Sequence, residues 1–184
     1  MAARTRNLRS LLEMHTPRDA LESRHLARMR ELCESVADPF SRSTFEPGHF
    51  TASAFILSPE RDALLLIFHG KLARWLQPGG HIDPSDDDVL AAALREAREE
   101  VGMHDLAPVL PGLLDVDVHD IPTLRGEPAH AHFDVRFLLR AQTRAFVAAS
   151  DAKAARWVRL DELSEELSDR SVMRAVEKIT TCVR

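Results

Sequence analysis

The chain has 184 residues, 45% of them hydrophobic and 29% charged, which is enough apolar material for one real core and an appendage. With 29 acidic against 24 basic residues the net charge is −5, which argues against a broad nucleic-acid-binding surface, and no apolar run approaches the length needed to cross a bilayer. The two cysteines, Cys33 and Cys182, stand in no metal-ligand spacing and fit packing roles in a reducing cytoplasm, and the basic N-terminus (Arg4, Arg6, Arg9) has no apolar stretch behind it to make a secretory signal.

Residues 1–48 read as a helical extension. Thr16-Pro17-Arg18-Asp19 is a helix start, with Thr16 as N-cap; Leu21, His25, Met29, Leu32, Cys33 and Val36 then recur at helical spacing until Asp38-Pro39. Such a segment is either a lid or homodimerisation arm, or a packing helix that covers a sheet. From His49 the pattern turns to strands, predicted at Phe50–Leu57, Ala63–Phe68 and Arg74–Gln77. Gln77-Pro78-Gly79-Gly80-His81 is a turn, and an acidic run leads into an alanine-rich helix over Asp88–Val101 that Gly102 ends. Its apolar stripe, Val89, Leu90, Ala93, Leu94, Ala97 and Val101, predicts packing on the sheet. Leu106–Val118 is extended but broken by Pro108 and Pro111, and His119–Pro128 is a loop. His130–Ala141 is a strong strand with Thr143–Ala149 as its antiparallel partner, and Ala155–Leu160 is the last strand. Asp161–Leu167 and Ser168–Cys182 read as closing helices.

Chemistry concentrates on the alanine-rich helix. Glu96, Glu99 and Glu100 stand at i, i+3 and i+4 and share one side. Like charges at that spacing cost roughly a few tenths of a kcal/mol per pair, and a multivalent cation turns the repulsion into binding. Carboxylate oxygens and water suit Mg²⁺ or Mn²⁺ better than zinc, so metal-assisted attack on phosphate follows. His130, His132 and Asp134 alternate on one strand and share a face, where they line a substrate pocket or ligate a transition metal. Lys71, Arg74 and His81 flank the Gly-Gly turn and are candidates for substrate phosphates, unless they are plain turn residues.

Gly80 through Met103 resembles the Nudix box. Arg95-Glu96-Ala97-Arg98-Glu99-Glu100-Val101-Gly102-Met103 fits its second half throughout. In the first half, the family's first glutamate falls on Asp87 when counted back from Arg95, but six residues instead of five then follow Gly80, and Asp86 is the alternative. The resemblance implies an α/β/α sandwich with a mixed sheet over residues 49–184, with residues 1–48 outside it. It implies hydrolysis of the pyrophosphate bond in a nucleoside diphosphate linked to another moiety, a nucleotide sugar or ADP-ribose being favoured, with Mg²⁺ or Mn²⁺ as cofactor. Glu96, Glu99, Glu100 and the Gly79 carbonyl are then the metal ligands, and Glu96 is ligand or base. Arg95 orients Glu96, and Asp87 accepts from Arg95 or holds a water on the metal. Asp151, before the last strand, is an extra base or ligand, or else an ordinary loop aspartate. The competing class is a non-catalytic nucleotide-sensing or regulatory protein of the same fold. Such proteins typically lose box glutamates, which this chain keeps. An isomerase acting on an isoprenoid diphosphate is a weaker reading, because no dedicated acid/base pair is evident. The remaining expectations are a small-molecule nucleotide partner, no nucleic acid, no membrane, a cytoplasmic location and a homodimer through the extension.

Overall fold

The computed structural model describes residues 3–70, 72–123, 126–148 and 154–182. In chain order the elements are α1 (Ala3–Met14), α2 (Ala20–Ser35), β1 (Gly48–Leu57), β2 (Ala63–His69), β3 (Arg74–Leu76), β4 (Gly79–His81), α3 (Val89–Val101), β5 (Leu106–Pro108), β6 (Asp115–Ile121), β7 (His130–Ala141), β8 (Ala155–Arg159) and α4 (Arg170–Cys182).

One mixed sheet is built around β1 and β7, which pair in parallel from Gly48 opposite Ala131 to Leu57 opposite Arg140. Each of these strands divides its outer edge between two antiparallel partners. β1 takes β4 along its first half and β2 along its second. β7 takes β6 over His130–Arg136 and β5 at Leu139–Ala141. β3 and β8 extend the sheet from β2.

Alternation along the central strands sorts the two faces. On one face Phe50, Ala52, Ala54 and Ile56, with Phe133, Val135, Phe137 and Leu139, share a core with α1, α2 and α3. The other face is apolar at one end, where Phe55, Leu57, Leu66 and Leu138 meet α4. At its opposite end strand register lays down three polar rows: His49–His132–His119, Thr51–Asp134–Asp117 and Ser53–Arg136–Asp115. The result is an α/β/α sandwich with one polar end.

The N-terminal helices pack inside their own chain, since Leu8, Leu12, Met29 and Leu32 are fully buried. The cap of α2 is Asp19, not Thr16: its carboxylate accepts from the Glu22 N–H at 2.8 Å. Glu22 reaches back to the Arg18 N–H at 2.7 Å, a variant of the capping box that moves the helix start past Thr16-Pro17. α2 also covers the outer edge of β6, where His25 Nδ1 accepts from the Val118 N–H at 3.3 Å.

Three expectations are corrected. β6 continues to Ile121, so His119 and Asp120 lie in a strand. Residues 143–148 form no strand, because both edges of β7 are already taken; the Val147 N–H instead donates to Val101 O at the end of α3. Residues 161–167 form turns, too short a run to hold a helix by itself. Arg74 Nη1 donates to the carbonyls of Glu165, Glu166 and Ser168, and the Trp75 N–H donates to Leu167 O. No described helix is long and apolar enough to cross a membrane.

Candidate active site

Local sequence fixes both ends of α3. Asp88 accepts from the Ala91 N–H at 2.8 Å as N-cap, and Gly102 closes the helix at φ 63°, a left-handed conformation that glycine adopts without Cβ strain. Val89, Ala92, Ala93, Ala97 and Val101 are fully buried on the sheet, and helical spacing sets Glu96 and Glu100 along the rim of this stripe, half-buried, with Glu99 farther out toward solvent. Burying Val89 and Val101 stabilises this docking by about 1.5–3 kcal/mol each.

Glu96 and Glu100 close on the Gly79-Gly80 strand. Glu100 accepts from the Gly79 N–H at 2.9 Å. A Cβ on Gly80 would sit 2.6 Å from Glu96 Oε1, so only glycine leaves the carboxylate where it is. Gly80→Ala is expected to keep the fold, because the clash is with the movable end of a side chain, but to displace Glu96. Gly79→Ala would press on the Ala52 carbonyl at 2.9 Å and loosen the β1–β4 pairing. Thermal melts should therefore show a loss for Gly79→Ala and little change for Gly80→Ala.

Arg95 organises the acidic cluster. It forms a two-pronged pair with Asp86, Nε and Nη2 each at 3.0 Å, and donates to Glu96 at 2.8 Å, Glu99 at 3.0 Å and the His81 carbonyl at 2.7 Å. The acceptor is thus Asp86, while Asp87 is exposed, which corrects the assignment of Asp87 to that role. Hydrogen bonding to Asp86, against the cost of burial, holds the guanidinium firmly charged. Burial raises the Glu96 carboxyl above its usual range despite Arg95 beside it.

A cavity of about 440 Å³ opens at this cluster, lined by Gly80, His81, Arg95 and Glu96 together with Arg4, Phe40 and Arg42. Arg4 donates to the Asp83 carbonyl at 2.9 Å and lies 4.4 Å over the Phe40 ring. Arg4, Phe40 and Arg42 are residues that the sequence reading did not place at the site. No local motif marks them: α1 brings Arg4, and the loop between α2 and β1, tied to β1 by the Phe50 N–H to Pro39 O bond, brings Phe40 and Arg42.

Five imidazoles gather on the polar end of the sheet. His49 lies 5.1 Å from His81 and 4.9 Å from His132, ring centre to ring centre, and His130 and His119 lie 5.2 and 5.6 Å from His132. Burial, helped by neighbouring imidazoles, holds His132 down to about 3 and His81 to about 4, so both are neutral at pH 7. Glu22 and Asp117 are also shifted down, which in a carboxyl group favours the charged form. Burial would raise them, but His15, the Arg18 N–H and Lys178 on Glu22, and Arg136, His119 and Arg174 on Asp117, outweigh it and hold both well below the usual carboxylate range.

These directions fix the acid response. The buried histidines have folded pKa values below their unfolded ones, so the unfolded chain protonates first and stability declines as pH falls below about 6.5. The two carboxylates add a second decline below about pH 5, again because the unfolded chain takes protons first. Calorimetry across pH should show the melting temperature steady above neutrality and falling in both windows, with Glu22→Gln flattening only the lower one.

Of the other candidates, Lys71 and Asp151 lie outside the described residues. His81, His130 and His132 come together, but Arg74 is on the far strand β3, clamping the 165–168 turn instead of facing the box. Asp134 does not face a substrate either. It is buried and accepts from Thr51 at 3.1 Å, Ser53 at 2.8 Å and Arg136 at 2.9 Å.

The NUDIX domain family model matches residues 47–176. Among solved structures, a NUDIX-family hydrolase from Clostridium perfringens aligns with a TM-score of 0.55 at 24% identity, over 72% of this chain and 97% of its own. The MutT protein from Methanosarcina mazei Go1 aligns with a TM-score of 0.57 at 15% identity, over 80% and 97%. The C. elegans Ap4A hydrolase, in a binary complex, gives 0.51 at 17% identity, over 73% and 96%. At such identities these likenesses are of fold. No curated protein matches the chain.

Proposed function

This chain belongs to the NUDIX domain family, and we propose that it hydrolyses the pyrophosphate bond of a nucleoside diphosphate linked to a second group, with Mg²⁺ or Mn²⁺. The observation that carries the reading is the convergence of Glu96 and Glu100 on the Gly79-Gly80 strand beside a cavity that also holds Arg4 and Arg42. The carboxylates of Glu96, Glu99 and Glu100 and the Gly79 carbonyl fit a hard divalent ion, since all are oxygen donors and glycine leaves the approach clear. Such an ion would supply charge neutralisation on the diphosphate and Lewis acidity toward the attacking water.

The chain's own residues do the rest. Arg95 holds Glu96 and Glu99 in place through one oxygen each. Glu96 accepts the proton of the water that attacks phosphorus. The bond from that phosphorus to the bridging oxygen breaks, and a phosphate monoester leaves. Arg4 and Arg42 meet the negative charge of the substrate from the segment that precedes the family match. That segment is therefore where the attached group is read.

Nucleotide sugars and ADP-ribose head the substrate panel, and the likeness to the C. elegans enzyme adds dinucleoside polyphosphates such as Ap4A. Incubated with Mg²⁺ or Mn²⁺, the protein is expected to release a nucleoside monophosphate from at least one of them and to place ¹⁸O from labelled water in a phosphate product. Tight nucleotide binding with no turnover across the panel would replace this reading with that of a nucleotide sensor.

A further inference from the structure

We propose that His49, His81 and His132 bind one divalent transition-metal ion of the zinc class, at a site separate from the oxygen-donor cluster of α3. The inference does not depend on the proposed hydrolysis. Three neighbouring strands deliver the three rings: His49 and His132 are register partners on β1 and β7, and His81 on β4 stands opposite Thr51, two residues along from His49. Each offers a ligand nitrogen, and these atoms all lie within 4.8 Å of one another. A tetrahedral zinc ion with bonds of about 2.0–2.1 Å sets its nitrogens about 3.3 Å apart, so modest side-chain rotation closes the triangle.

His49 carries the second observation. It is 1% exposed. Its Nδ1 donates to the Thr44 carbonyl at 3.0 Å, which fixes the tautomer and leaves Nε2 with a lone pair. That Nε2 is buried and has no hydrogen-bond partner among the described residues. A buried acceptor without a donor is costly, and a ring held by a backbone carbonyl through one nitrogen is the arrangement by which proteins orient a metal-binding imidazole through the other. His119 shows a related pattern, with Nδ1 3.1 Å from Asp117. Neutral imidazoles select Zn²⁺ and its borderline neighbours over Mg²⁺. Asp134 cannot complete a set with His130 and His132, because Thr51, Ser53 and Arg136 already occupy it. Three protein ligands leave an exchangeable position on the ion. His81 also lines the cavity that holds Glu96.

The test uses the full chain, stripped with a chelator and titrated with Co²⁺ in excess Mg²⁺. One equivalent of Co²⁺ should bind with the visible absorption of a nitrogen-ligated four- or five-coordinate ion, and Zn²⁺ should bleach it by displacement. The double variant Glu99→Gln, Glu100→Gln should keep that spectrum. His81→Ala, on a short strand at the sheet's edge, should fold normally by circular dichroism and weaken Zn²⁺ binding at least about 100-fold. His132→Gln should do the same, with His81→Ala deciding the matter if the His132 variant does not fold. The proposal is overturned if no band forms at one equivalent in excess Mg²⁺, if the band survives in His81→Ala, or if it vanishes in the box double variant.

Discussion

Glu99→Gln is expected to lower kcat by at least about 10²–10³-fold, the scale on which a single preorganised electrostatic group acts at a reacting centre, while leaving the melting temperature unchanged. The two halves of this result have separate causes. Glu99 is 58% exposed and accepts from Arg95 at 3.0 Å on the same helix. An exposed pair of this kind stabilises a protein by less than about 1 kcal/mol, and removing one of three crowded carboxylates relieves part of their mutual repulsion. What the substitution removes is charge at the place where a divalent ion would be held. Gln keeps the size of the side chain, so lost packing cannot mimic the effect. Arg95→Lys provides the complementary case. A lysine cannot reproduce the two-pronged pair with Asp86 while also reaching Glu96 and the His81 carbonyl, so both activity and stability should fall. Steady-state kinetics at saturating Mg²⁺, paired with thermal melts, separates the two variants. Full turnover by Glu99→Gln would remove that residue from the ligand set.

What could be read from sequence follows a physical rule: features written in consecutive residues were legible, and features made by strand register were not. The apolar stripe of α3 and its Gly102 stop are local, and the helix read over Asp88–Val101 runs from Val89 to Val101 with Asp88 as its cap. The alternation over His130–Ala141 gave β7 its bounds for the same reason. The 143–148 segment looked like a strand because Phe146 and Val147 are apolar, yet a strand needs a free edge, and β1, β5 and β6 had used those of β7. The histidines show the limit most clearly. His130 and His132 were visible as a pair because they alternate on one strand. Their neighbours His49, His81 and His119 come from β1, β4 and β6, and nothing in the sequence near them announces the register that joins them. Asp86 and Asp87 could not be separated by counting, because an extra loop residue shifts the frame. Three hydrogen bonds in the loop, Asp83 N–H to Asp86 and both the N–H and hydroxyl of Ser85 to Asp83, shape the turn that presents Asp86 to Arg95.

The largest stability effect should come from Asp115, on the polar row next to Ser53 and Arg136. Its side chain is fully buried and meets three cations: Arg136 at 3.2 Å, Arg174 at 2.7 Å and Lys178 at 2.7 Å. Arg136 is itself 3% exposed, and it also meets the carboxylates of Asp134 at 2.9 Å and Asp117 at 3.3 Å and donates to the Ser171 carbonyl at 3.3 Å. Burial works against its charge, but the three surrounding aspartates outweigh that and keep it protonated. Removing one carboxylate from such a set leaves cations desolvated without compensation, at a cost of about 3–5 kcal/mol, a large share of the 5–15 kcal/mol typical of a whole domain. Asp115→Ala is therefore expected to move the urea midpoint down sharply with the slope unchanged, because the amount of surface exposed on unfolding stays the same. Asp115→Asn should fall between Ala and wild type, since the amide oxygen still accepts a hydrogen bond but carries no charge. A second variant isolates the cause. If uncompensated charge is what destabilises, then Asp115→Leu combined with Arg174→Met should cost less than Asp115→Ala alone, because it deletes a cation together with its partner and fills the volume. If the double variant is the worse of the two, the network contributes through its shape and hydrogen bonds, and the electrostatic account of this end of the sheet is wrong.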